Sequence, residues 1–206
     1  MTEKLRFLSP AQAETVRNWW YALQPHSEDE PEPNKRFSMF TRRDRAELRR
    51  CETPDQVLLL GAFVRLAHAL LPLEAGKQTP YVEGDATAYA LVAGLLAHVE
   101  TDLKDGSSFG ARLGETNDAD RPHMSAMRFA RLQTASTEAE FFQLGRRAIQ
   151  LVGKKADVVM LADDLLAWVR EFRGHQPGKP KDRLRVRWAT EYFTAAKHLE
   201  SNKDLA

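Results

Sequence analysis

Cysteine is almost missing from the 206-residue sequence, which contains only Cys51. A single cysteine excludes an intramolecular disulfide and a zinc site built from cysteines. Long apolar runs are missing too, since no stretch approaches the roughly 18 continuous apolar residues of a membrane span. The first residues also lack the apolar segment of a secretory signal. The sequence therefore predicts a cytoplasmic protein that does not engage a membrane.

β-Branched apolar residues are scarce. The chain has 1 isoleucine and 11 valines, against 25 leucines and 27 alanines. Leucine and alanine lose little conformational freedom in a helix, whereas β-branched residues fit strands better. This imbalance predicts an all-α fold, and the length is sufficient for one domain or two small ones.

Capping signals and apolar periodicity divide the chain into about eight helices. Four starts are marked by a capping residue at Ser9, Thr53, Thr137 and Asp157. Proline is disfavoured inside a helix, so we expect Pro72 to end the third one. The predicted helices span residues 9 to about 22, 41–51, 53–71, 85–103, 124–132, 137–152, 157–172 and 181–199.

Two segments are predicted to lack regular secondary structure. Residues 25–36 contain three prolines and an acidic run, and residues 104–121 contain three glycines and many short polar residues. We predict a loop for each, and we take the second as the boundary between two small helical bundles. The predicted domains are residues 1–118 and 119–206.

Catalytic signatures are also missing. The sequence has no phosphate-binding glycine loop, no HExxH zinc motif and no GxSxG nucleophile elbow. His98 and Asp102 lie four apart on a predicted helix and could share a metal, but no second ligand motif accompanies them. Asp163 and Asp164 are adjacent, so they point about 100° apart on a helix and form no ready carboxylate pair. We therefore expect no catalytic residues, no metal and no cofactor.

The positive charge is concentrated in three segments. The formal net charge is only +1, yet residues 35–50, 121–155 and 170–187 each carry seven basic and two acidic side chains. The rest of the chain carries 9 basic and 23 acidic residues. Binding to phosphates depends on such local patches rather than on the molecular total. The alternative interpretation is three solvated helix faces.

Arginine dominates these patches, and its planar fork suits phosphate oxygens and stacking on bases. At about 100° per residue, Arg42, Arg45 and Arg49 fall on one side of a short helix. Phe40, Leu48 and Cys51 lie on the other, apolar side.

The second and third patches follow the same logic. Arg146 and Arg147 share the polar face of their helix, opposite a predicted core stripe that includes Leu144 and Leu151. Arg183 and Arg187 stack four apart on the last helix. Arg128 has apolar residues four positions away on each side, so a partly buried structural role is as consistent with the pattern as a binding role.

Several segments in order resemble one family. They are Arg43-Asp44-Arg45-Ala46-Glu47-Leu48-Arg49-Arg50-Cys51 followed by Thr53-Pro54, then Leu113-Gly114 and Arg121-Pro122-His123-Met124-Ser125-Ala126-Met127-Arg128-Phe129-Ala130-Arg131-Leu132, then Gly145-Arg146-Arg147-Ala148, Leu161-Ala162-Asp163-Asp164-Leu165-Leu166-Ala167-Trp168 and Arg187-Trp188-Ala189 with Tyr192. Together they resemble CasB, the small subunit of the type I-E CRISPR surveillance complex Cascade. The resemblance covers about Trp19 to Tyr192.

This resemblance implies an all-helical, non-enzymatic subunit that assembles with the other Cascade subunits and with a second copy of itself. It implies basic surfaces that face the guide RNA and hold the target and displaced DNA strands. By motif, the implied binding residues are Arg49, Arg50, Arg128, Arg131, Arg146, Arg147 and the run of Arg183, Arg185 and Arg187. To these the helix geometry adds Arg42 and Arg45. The insertion at residues 25–36 departs from the family pattern.

The leading hypothesis is thus a non-catalytic nucleic-acid-binding subunit that stabilises opened target DNA, the R-loop, in antiviral defence. The alternative is a helical protein-interaction scaffold whose arginines bind acidic partner surfaces. A metal enzyme based on His98 and Asp102 is a distant third.

Overall fold

The chain forms an all-α fold in a computed structural model that describes residues 5–26, 29, 31–74, 83–117 and 120–203. Ten α-helices occur in this part of the chain, which confirms the predicted fold class. They are α1 (Pro10–Ala22), α2 (Arg42–Arg50), α3 (Pro54–Leu58), α4 (Gly61–Glu74), α5 (Glu83–Leu96), α6 (Phe109–Gly114), α7 (Ala126–Gln133), α8 (Glu138–Leu151), α9 (Val158–Phe172) and α10 (Leu184–Lys203). No helix within these ranges is long and apolar enough to cross a membrane.

The predicted helix starts coincide with real caps. The Ser9 side chain accepts from the Gln12 backbone and the Gln12 side chain accepts from the Ser9 backbone, which completes a capping box. Asp157 accepts from two backbone N–H groups of α9. These contacts satisfy donors that a helix start leaves unpaired, so the local sequence sets where α1 and α9 begin.

The predicted helix over residues 53–71 is two helices. α3 ends at Leu58 and α4 begins at Gly61, because the Leu60 N–H turns back to the Val57 carbonyl at 3.0 Å. Glycine at the start of α4 weakens helix continuity at this point. α4 then runs to Glu74, two residues beyond Pro72, so the expected stop was placed too early.

The predicted helix over residues 85–103 ends early. α5 stops at Leu96, and a two-residue strand β1 (Thr101–Asp102) follows. β1 pairs in parallel with strand β2 (Lys155–Ala156) from the other half of the sequence. A strand partner more than 50 residues away leaves no periodicity in the local sequence. The apolar pattern around α5 therefore predicts a longer helix than the one that forms.

The glycine-rich segment 104–121 contains a helix rather than only a loop. α6 packs directly on α10, and a Cβ added at Gly110 would lie 2.8 Å from the Trp188 backbone. The glycine therefore permits close helix contact instead of providing linker flexibility.

The buried apolar residues, apart from Met160, form one cluster that extends from Leu8 to Tyr192. α5 packs against α8 and α9, and α6 packs against α10, so helices from both predicted halves meet in it. The predicted boundary between residues 118 and 119 lies outside the described residues, and the division into two domains stays a prediction.

Candidate nucleic-acid interface

The arginines of the second basic segment, residues 121–155, line a groove between α7 and α8, which we call the arginine groove. Its volume is about 630 Å³, and it is lined by Arg128, Arg131, Gln143, Leu144, Arg146, Arg147, Gln150 and Leu151. Four guanidinium groups from two helices therefore face one concave surface, with amide side chains between them.

Local packing explains this placement. Phe129 and Leu132 of α7 and Phe142 and Ile149 of α8 are buried, which turns the arginines of both helices outward. Arg128 is exposed, so the structure favours a surface position over the partly buried alternative. Leu144 and Leu151, which were predicted as core, are only partly buried and line the groove.

Arg146 connects the groove to α2. Its guanidinium donates to the carbonyl oxygens of Cys51 at 3.0 Å and Arg49 at 3.4 Å, at the end of α2. A cation is favourable there because the last carbonyls of a helix carry partial negative charge. Arg146 is half-buried and positions the end of α2 beside the groove. The Arg147 side chain, in contrast, is exposed and makes no hydrogen bond or ion pair with the described residues.

The α2 arginines divide into two groups. Phe40, Leu48 and Cys51 are buried as predicted, and Arg42 and Arg50 are exposed. Arg49 is half-exposed.

Arg45, in contrast, points inward, with a side chain only 12% exposed. It donates to the carbonyls of Ala97 and Val99 beyond α5, at 3.1 and 3.2 Å. Burial lowers the pKa of Arg45, and nearby Arg49 lowers it further. Arg45 was predicted with the surface patch, but its geometry is that of a residue that joins α2 to the chain after α5.

Two of the three predicted binding arginines of the third patch make internal contacts just before and within α10. Arg187 is buried and pairs with Asp164 at 2.6 Å, so it does not reach the surface expected for a binding residue. Arg183 is half-buried and donates to the Pro177 carbonyl at 3.3 Å. Arg185 is exposed. Of these three arginines, Arg185 is the one whose side chain is exposed and accessible to a ligand.

The adjacent aspartates of α9 are structural. Asp163 accepts backbone N–H groups from Arg6, Phe7 and Leu8 and so anchors the segment before α1. Burial raises the pKa of Asp164 more than the contact with Arg187 lowers it, so the pKa lies at about 7.

The proposed metal pair is not assembled. His98 and Asp102 do not share a helix, because α5 ends at Leu96. Asp102 accepts from the Arg17 side chain at 2.9 Å and from the Val158 backbone at 3.1 Å. Within the described residues, no group of three potential ligands could hold a metal ion.

Lys154 is a basic residue near the α2 end that the sequence reasoning missed as a candidate. It lies in the turn between α8 and β2 and forms an ion pair with Glu100 at 2.8 Å. The signal for it was present, because Lys154 falls in one of the three basic segments. Only the pairing of β1 with β2 brings it beside α2.

Comparisons with known proteins agree on one family. No curated protein matches the chain. Among solved structures, the crystal structure of CasB from Thermus thermophilus is similar, with 26% sequence identity, coverage of 91% of this chain and 100% of that one, and a TM-score of 0.54. The family model of CRISPR-associated protein Cse2 matches residues 44–193, which confirms the resemblance drawn from the sequence. Since this match extends over more than half of the chain, the protein belongs to the CRISPR-associated Cse2 family.

Proposed function

We propose that this chain is a non-catalytic subunit of the CRISPR Cascade surveillance complex that holds opened target DNA on its arginine groove. Family membership supports the role in Cascade. The observation that carries the nucleic-acid contact is the groove itself, where Arg128, Arg131 and Arg147 are exposed and face the same surface.

The chemistry of the groove fits a sugar–phosphate backbone. Guanidinium groups bind phosphate oxygens through charge-assisted hydrogen bonds, and such contacts do not depend on base sequence. Gln143 and Gln150 add neutral donors and acceptors. Leu144 and Leu151 offer apolar surface against which a base or sugar can rest.

Because DNA opening is nearly balanced in free energy, such backbone contacts are sufficient to stabilise the R-loop. Replacing a DNA duplex by a guide RNA–target hybrid is nearly balanced in free energy. A subunit that binds the separated strands therefore shifts the balance toward the R-loop without any chemical step. In this proposal the partners are the other Cascade subunits, a second copy of the chain, the guide RNA and the target and displaced DNA strands.

The first test removes the groove's exposed cations. Arg128, Arg131 and Arg147 are changed together to alanine, and the dissociation of a matched target duplex from assembled Cascade is measured. Each lost phosphate contact costs about 1 kcal/mol, so we expect dissociation to become at least tenfold faster.

A matched control removes three exposed positive charges outside the groove, with Lys35, Arg43 and Lys179 changed to alanine. We expect this variant to release DNA at nearly the wild-type rate. Unchanged release by the groove variant, with the subunit shown to be incorporated, would contradict the proposal and favour the protein-scaffold alternative. Crosslinks from the groove arginines to protein alone would support the same conclusion.

A further inference from the structure

An acidic side chain lies among the cations next to the arginine groove. The Glu100 carboxylate lies 2.8 Å from the Lys154 ammonium, 3.7 Å from an Arg49 nitrogen and 3.9 Å from an Arg45 nitrogen. We call these four side chains the Glu100 cluster. It is continuous with the groove, because Arg146 lines the groove and donates to the Arg49 carbonyl.

The backbone builds this cluster. The N–H groups of Glu100 and Thr101 donate to the Lys154 carbonyl at 2.8 and 3.3 Å, beside the pairing of β1 with β2. The Lys154 N–H donates to the Ile149 carbonyl at 2.9 Å, and its φ of 61° places it in a tight turn after α8. The fold therefore holds the backbones of Glu100 and Lys154 side by side, independently of the ion pair between their side chains.

Cations outnumber anions here. Arg45, Arg49, Arg146 and Lys154 surround the buried His98, whose pKa falls to about 4, first by burial and then by these four charges. His98 is thus uncharged at neutral pH, and Glu100 offsets only part of the positive charge. The hydrogen bond from Lys154 and the two arginines lower the pKa of Glu100, so the carboxylate is ionised.

The Glu100 side chain can also move away from the cations of the cluster. Its side chain is 42% exposed, and those of Arg49 and Lys154 are 35% and 31% exposed. The carboxylate can rotate into solvent without opening the core, which would leave two accessible cations and the edge of Arg45 for another anion.

We infer that the Glu100 cluster is a phosphate site, and that in the free chain Glu100 occupies it as an internal competitor of the nucleic-acid backbone. This inference rests on the proposed function. When a strand follows the arginine groove toward α2, one of its phosphates replaces the Glu100 carboxylate on Lys154 and Arg49. Glu100 thereby weakens binding to isolated nucleic acid, and the subunit retains DNA only where the other groove contacts assist.

The test is Glu100→Gln, which removes the competing charge and keeps the side-chain shape. In assembled Cascade we expect matched target DNA to dissociate about fivefold more slowly than from the wild type. The matched control is Glu47→Gln, which removes the same charge from an exposed pair with Arg43 on α2. Equal effects of the two variants would overturn the inference, because the gain would then be general electrostatics.

A second measurement needs no nucleic acid. Inorganic phosphate is titrated into the full chain while the unfolding temperature is recorded, since a ligand that binds only the native state stabilises it. We expect phosphate to stabilise Glu100→Gln more than the wild type or Glu47→Gln, and the added Lys154→Gln change to abolish the difference. Glu100→Ala serves as a second variant, because the backbone hydrogen bonds of residue 100 do not involve its side chain.

The two proposals fail in different ways. In one outcome, Glu100→Gln neither slows DNA dissociation nor responds more strongly to phosphate, while the groove variant still releases DNA faster. The inference is then wrong and the proposed function stands. If the groove variant retains DNA normally while Glu100→Gln responds to phosphate, the proposed function is wrong and an anion site without a role in strand retention remains.

Discussion

Arg146 and Arg147 are neighbours in the chain, yet their side chains have different roles. Arg146 donates to two carbonyls at the end of α2 and is half-buried, whereas Arg147 is exposed in the groove. The same contrast separates the buried Arg187 from the exposed Arg185. At the residue scale, a guanidinium is available to a ligand only where backbone carbonyls and carboxylates of the protein have not already used its donors. Substitution of Arg146 or Arg187 would therefore mix effects on folding with effects on binding.

His98 gives a prediction at the same scale. Its pKa is about 4 in the folded chain and near 6.5 in the unfolded chain. Because the unfolded chain binds the proton more tightly, the stability from neutral His98 is complete above about pH 6.5 and is lost as the pH falls toward 4. We expect an acid-dependent loss on the order of 3 kcal/mol in the wild type, and a flatter profile in His98→Leu.

Urea unfolding between pH 4 and 7.5 measures this difference. His175→Leu is the matched control, since His175 is exposed and its removal should leave the profile unchanged. A His98→Leu profile as steep as that of the wild type would show that other groups cause the acid sensitivity.

At the element scale, close packing against α6 fixes the position of α10, the last helix. α10 lies against α6 so closely that glycine is needed at the contact. Tyr192 also donates its hydroxyl proton to the Met124 carbonyl at 2.6 Å, just before α7. α10 thus links the short helix α6 to the start of the helix that carries Arg128 and Arg131.

This packing predicts that Gly110→Ala destabilises the chain. The added methyl group would lie 2.8 Å from the Trp188 backbone and 2.9 Å from its ring, which overpacks the contact and costs about 1–3 kcal/mol. Chemical denaturation of the full chain measures the change. Gly178→Ala is the control, because nothing lies within 4 Å of its added Cβ. Similar stabilities for the two variants would mean that α10 shifts freely on α6.

At the scale of the whole molecule, the net charge is small, but positive side chains are concentrated on one part of the surface. A net charge of +1 gives little long-range attraction to DNA. The groove and the α2 end nevertheless bring together arginines of α7 and α8 with those of α2, which is distant from both in sequence. Retention of DNA should therefore depend on a few short-range phosphate contacts.

The salt dependence of DNA retention tests this distribution. Each phosphate neutralised on a single strand contributes about 0.7 to the slope of log affinity against log salt. The change of Arg128, Arg131 and Arg147 to alanine should lower that slope by about 2. The variant of Lys35, Arg43 and Lys179 should leave the slope of the wild type nearly intact. A slope that responds equally to both variants would indicate diffuse attraction and no defined groove.

The boundaries of α1, α2, α7, α8 and α9 could be predicted from the sequence, because capping residues and apolar spacing act over one or two turns. Ser9, Thr137 and Asp157 begin their helices where expected, and the buried side of α2 is the predicted one. The ordered motifs were also sufficient to indicate the family.

Tertiary contacts decided the rest, because they join residues that no local pattern relates. The parallel pairing of β1 with β2 ended α5 early and brought Lys154 to Glu100. The packing of α10 made a helix of part of a glycine-rich segment. Whether an arginine reaches the surface, as Arg147 does, or holds a carbonyl or carboxylate, as Arg45 and Arg187 do, was likewise decided by neighbours distant in sequence. The sequence by itself determined the all-α class, the starts of the capped helices, the basic segments and the family. The tertiary structure determined which basic side chains are exposed, because burial and pairing depend on neighbours distant in sequence.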